Sequence, residues 1–146
     1  MAATITFDEL ERDFQSKSSA ITSLVVAMSL SRGGVKLFIS ALQLHLLNRK
    51  FLAIIKRIEN VCPPDCERIA ECMGNMKESL EHVVYGQQTL LRDAEGIKLA
   101  IAFMPYLRRD TEELESKLEN FWIGSDPEIK DLISHLQLKK HQPHAV

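Results

Sequence analysis

The stretch SSAITSLVVAMSLSRGGVKLFISALQLHLLN, residues 18–48, decides the fold. It consists of two charge-free runs, residues 18–31 and 37–48, parted by Arg32, the pair Gly33 and Gly34, and Lys36. Each run is about 12–14 residues long against the roughly 20 a spanning helix needs, so neither crosses a bilayer alone. A glycine pair between two helical runs ends the first and turns the chain, and so short a connection makes the two helices antiparallel neighbours.

Upstream, Thr6 followed by Glu9 is a capping box, with Ile5 placed for a hydrophobic staple, so the first helix starts there. Phe7, Leu10, Phe14, Ile21, Leu24 and Met28 recur at spacings of three and four, skipping Lys17, and form one apolar stripe. Ser19, Ser23 and Ala27 run beside it and let a neighbouring helix approach closely. The second helix, about residues 35–60, carries Leu37, Leu44, Leu47, Phe51, Ile54 and Ile58 on one face. Phe38, Ala41, His45, Leu52 and Ile55 occupy the adjoining one. So wide an apolar arc belongs to a helix packed on two sides. Antiparallel folding about the glycines sets the acidic start of the first helix (Asp8, Glu9, Glu11, Asp13) beside the basic end of the second (Arg49, Lys50, Lys56, Arg57).

Pro63 and Pro64 stop the second helix, and a third opens at Pro64 or Asp65. Its rhythm of Cys66, Ile69, Met73, Met76, Leu80, Val83 and Leu90 is broken only at Gln87, and residues 93–96 end it. A fourth segment runs from Ile97 through Met104, Leu107, Leu114 and Leu118 to Phe121, with Pro105 as a kink or as the first turn of a new helix. Gly124 closes it. Asp126 as N-cap with Pro127 behind it then starts a short fifth helix on Ile129, Leu132, Ile133 and Leu136. No segment alternates with the period of a strand. The expected fold is all-α: an antiparallel (up-down) four-helix bundle with a short fifth C-terminal helix. Residues 1–138 form one domain and 139–146 a flexible tail.

Composition sets the function classes. At 146 residues, 45% hydrophobic and 26% charged, the chain can bury its own core. A formal net charge of -2 gives no general excess of positive charge for nucleic acid. Acidic residues precede any apolar run, which excludes a signal peptide, and three cysteines in a short stretch suit a reducing cytoplasm.

The phosphate-binding glycine loop, His-Glu-x-x-His and Gly-x-Ser-x-Gly are all absent, so no catalytic residue and no cofactor is assigned. Cys62, Cys66, Cys72 and His82 have the ligand chemistry of zinc but the wrong spacing, because a tight Cys-x2-4-Cys pair needs a second tight pair. His45, deep in the most apolar helix, is either a pH-sensitive group or a neutral histidine satisfied by one hydrogen bond. Arg108, Arg109, Asp110, Glu112, Glu113 and Glu115 read as a solvent-facing helix surface.

The three hairpin helices offer more apolar face than one core of this size needs, which points to association. The leading expectation is a non-catalytic helical interaction module, a homo-oligomer (dimer) or the partner of another helical protein, with Ser19, Ser23, Ala27, Phe38, His45, Leu52 and Ile55 as interface. A membrane-active bundle that exposes residues 18–48, with Arg32 and Lys36 meeting anionic head groups, is the second. A small-molecule or metal-binding protein using Cys66, Cys72, His45 or His82 is the third.

Overall fold

A computed structural model describes residues 6–30, 35–61, 66–93, 104–124 and 127–141. Among these the protein is almost entirely helical, with no strand, and five helices pack against one another. They are α1 (Phe7–Ser29), α2 (Val35–Asn60), α3 (Cys66–Asp93), α4 (Met104–Glu119) and α5 (Pro127–His141). α1 packs on α2 and α3, α4 packs on the same two helices from the other side, and α5 lies against α3.

α1 begins where the capping box places it: the Glu9 N–H donates to Thr6 Oγ1 at 3.3 Å. Its inner face is Phe7, Leu10, Phe14, Ser18, Ile21, Val25 and Met28. Ser18, not Lys17, therefore bridges the gap in the apolar stripe, because it stands four residues after Phe14 and three before Ile21. Phe14 is fully buried and stands at the centre. Its ring lies 4.8 Å from that of Phe51 on α2 and 6.1 Å from that of Phe121 beyond α4, both tilted as aromatic pairs prefer.

Side-chain pairs set the relative directions. Asp8 pairs with Arg68, Glu11 with Cys72 and Gln15 with Ser79, so positions along α1 and α3 rise together. Along α2 and α4 they also rise together, from His45 with Asp110 to Glu59 with Lys117. The acidic start of α1 also meets Arg68 of α3, and Arg49 of α2 meets α4, so ion pairs join α1 to α3 and α2 to α4.

Pro105 falls in the first turn of α4, where its missing N–H leaves no helical bond unmade. Residues 97–103, the rest of the expected fourth segment, lie outside the described residues, as do Ile5, Arg32, the glycine turn and Cys62. α4 ends at Glu119, short of Gly124, so Phe121 reaches the core from the connecting turn. Gly124 sits at φ 79°, a conformation that favours glycine, and its N–H donates to the Ile58 carbonyl at 2.9 Å. α5 runs to His141, with Ile133 buried and Lys130 over the Trp122 ring.

Removing the Phe14 ring breaks two aromatic contacts at the meeting point of three segments. Phe14→Ala should cost about 3–5 kcal/mol in urea unfolding, with helical content retained in the folded baseline.

Candidate functional site

Two places stand out from an otherwise ordinary helical interior. The first is a cluster of polar side chains inside the core, and the second an apolar face left outside it.

The polar cluster joins α2, α3 and α4. Asn48 and Gln87 are buried and exchange two hydrogen bonds, with Asn48 Nδ2 donating to Gln87 Oε1 at 2.8 Å and Gln87 Nε2 to Asn48 Oδ1 at 2.7 Å. Asp110, 1% exposed, accepts from three residues of α2: His45 Nδ1 at 2.6 Å, Asn48 Nδ2 at 3.4 Å and Arg49 Nη1 at 3.3 Å. A carboxylate only accepts, so the bond to Asp110 places a hydrogen on Nδ1 of His45. Arg49 also reaches Glu113 at 3.0 Å, and its hydrogen bond to Asp110 raises it above its ordinary value. The Tyr106 ring lies 5.4 Å from that of His45. Among the described residues no buried side-chain nitrogen or oxygen lacks a partner. The cluster is thus a fully bonded network that fixes how α2 sits on α3 and α4.

This corrects the reading of the charged residues 108–115 as a solvent-facing surface at Asp110 alone, while Arg108, Arg109 and Glu112 are exposed as expected. Asp110 lies three residues after Leu107 and four before Leu114, both buried, and so shares their inward face. Gln87, the break in the α3 stripe, is an inward residue with a partner. His45 is partly exposed and satisfied by its bond to Asp110.

The outer face comprises the end of α1 and the first half of α2. Val26, Leu30, Val35, Ile39 and Leu46 are about half exposed or more, and Phe38 and Leu42 a little over a third. Leu30, just past the end of α1, and Val35, at the start of α2, reach 79% and 74%. On α2 the positions 35, 39, 42 and 46 form a single stripe at spacings of four, three and four. Beside it Ala20, Ser23 and Leu24 of α1 and Gln43, Leu46, Leu47 and Lys50 of α2 line an open apolar groove of about 550 Å³. Among the described residues, α2 is the helix long and apolar enough to cross a membrane by length and composition. Its inner side, from Leu37 to Ile58, forms the core and accounts for much of that apolar character.

The expected interface residues divide. Ser19, Ser23, Ala27 and Phe38 are exposed, and Ser23 lines the groove. Leu52 and Ile55 belong to the core, since the wide arc of α2 is used up by packing on both α1 and α4, so they offer no surface to a partner. Among the described residues the candidate thiol and imidazole groups do not converge, and Cys62 and the Cys66 side chain lie outside them. Cys72 is buried, its Sγ donating to Glu11 Oε2 at 3.3 Å, and His82 lies ten positions further along α3, about 15 Å by the helical rise. His82 lines an open groove of about 600 Å³ between α1 and α3 with Tyr85, Thr89 and Asp93, while His45 belongs to the α2–α4 cluster. No group of three or more His, Cys, Asp or Glu able to hold a metal ion occurs among the described residues. No family model, no curated protein and no solved structure matches the chain.

Two measurements test these assignments. Asn48→Ala strands the buried Gln87 amide and should cost about 1–3 kcal/mol, while Asn48→Leu combined with Gln87→Leu should recover part of that loss, giving non-additive urea midpoints.

Burial, and then the Glu11 carboxylate, push the Cys72 thiol from its ordinary 9.0 up to about 11. The stability this contributes is complete below pH 9.0 and disappears as pH rises through about 11. The unfolding midpoint of the wild type should therefore fall over that interval more than that of Cys72→Ala, compared in a background with Cys62 and Cys66 replaced by serine.

Proposed function

We propose that the chain is a helical interaction module that works by docking rather than catalysis. In this reading its long helices form an antiparallel, up-down four-helix bundle, with α5 as the short extra element. The working surface is the outer face of the α1–α2 hairpin, and in solution it pairs with a second copy or with a helix of another protein. What carries the proposal is the run of exposed Val35, Ile39, Leu42 and Leu46 on one side of α2. Side chains at those spacings are the seam that a second helix covers. Scattered exposed leucines need no explanation, but a continuous stripe flanked by a groove marks a docking site.

The expected interface is sharpened to Ser23 and Phe38 together with the α2 stripe, without Leu52 and Ile55. Cytoplasmic residence belongs to the same reading, since Cys72 is a free thiol.

A test is the weight-average mass by light scattering. The wild type should grow heavier with concentration, and more so in high salt, because paired copies bring like charges such as Lys36 and Lys50 together and salt shortens their reach from about 10 Å at 0.1 M to about 3 Å at 1 M. Leu42→Glu with Leu46→Glu should hold the mass at one chain while leaving the circular dichroism spectrum and urea midpoint near those of wild type. A wild type that stays a single chain at every concentration and salt level overturns self-association.

A further inference from the structure

We infer that the same hairpin face is a docking site for an anionic lipid surface, an inference that rests on this face being the working surface of the module. The charges of the chain are segregated. All twenty acidic residues of the chain fall outside residues 14–58, a segment that holds seven lysines and arginines. In a chain of net charge -2, residues 14–58 are thus a cationic segment, and the exposed apolar stripe lies within it.

The distribution along α2 fits a bilayer interface. The outer side of its first half is Val35, Ile39, Leu42 and Leu46, with exposed Lys36 beside them. The outer side of its second half carries exposed Lys50, Lys56 and Arg57. Arg49 is engaged by Asp110 and Glu113 and is not counted among the available charges. Apolar groups exposed next to cations bind where hydrocarbon and anionic head groups meet. Leu30 and Val35, the most exposed apolar residues, sit at one end of the molecule, so they can enter the interface while the rest of the bundle stays folded in water. A symmetric pair of copies would bring two cationic faces together, whereas a phosphatidylserine surface meets each with opposite charge.

Flotation with lipid vesicles tests this on the full chain. Vesicles of phosphatidylcholine containing roughly a third phosphatidylserine should bind the protein at least about tenfold more tightly than phosphatidylcholine alone, with binding weakened by high salt. Lys36→Glu with Lys50→Glu should reduce binding by about fivefold or more per substituted lysine without changing the urea midpoint. Leu42→Glu with Leu46→Glu should abolish it.

Equal binding to neutral vesicles overturns the role of charge. No vesicle binding, with a mass that still rises in salt and falls to one chain in the double-glutamate variant, overturns the lipid inference and leaves the docking face standing. No vesicle binding and a single-chain mass throughout overturns both. The opposite signs of the two salt dependences, association strengthened and vesicle binding weakened, keep the two readings separate in one series of buffers.

Discussion

Asp110 imposes the constraint on which the arrangement of the helices depends. Taking a carboxylate out of water costs several kcal/mol unless donors replace the lost hydration. Here they come from three residues of one helix, His45, Asn48 and Arg49. If α4 slid by one turn along α2, that carboxylate would lose most of these donors and meet Leu44 or Leu52 in place of Asn48. Asn48 extends the requirement to α3, because its amide is also committed to Gln87 and both are buried. Apolar packing tolerates shifts in register with modest loss, whereas a buried polar network is satisfied in one arrangement and penalises others. Hydrophobic burial drives the collapse of these helices, and the polar cluster selects how they meet.

Much of the local structure was legible because it rests on short-range chemistry. The Thr6 cap, the proline stop after α2, the placement of Pro127 and the three-four rhythms of α1 and α3 each follow from backbone sterics or from the helical repeat. The failures have a common physical origin. Asp110 was hidden because charge normally marks solvent, and only its position between Leu107 and Leu114 signals otherwise. Gln87 appeared as an interruption because a single helix does not show that a buried amide has a partner 39 positions away. Leu52 and Ile55 looked available because the width of an apolar arc does not disclose how many neighbours will cover it. The charge partners Arg68 and Asp110 were missed for the same reason: they lie on helices that the hairpin reasoning did not include.

The outer face was only half visible. Excess apolar surface on the hairpin could be read from the sequence, but which side chains stay outside depends on the rotation of α2, and the polar cluster fixes that rotation. With His45, Asn48 and Arg49 turned toward α4, the row from Val35 to Leu46 is turned away from the core. Stability and the exposure of this stripe are thereby linked through one helix. A change that freed α2 to rotate would both expose amides and bury the stripe.

Keeping every carboxylate outside residues 14–58 also separates the charges of the chain, a polarity that its net charge of -2 does not disclose. A charged surface exerts a torque on such a body before any contact is made. The protein would arrive already turned, with the side of α2 that carries Lys36, Lys50, Lys56 and Arg57 leading. Charge placement in this chain therefore bears on the geometry of encounter as well as on the strength of the contact that follows.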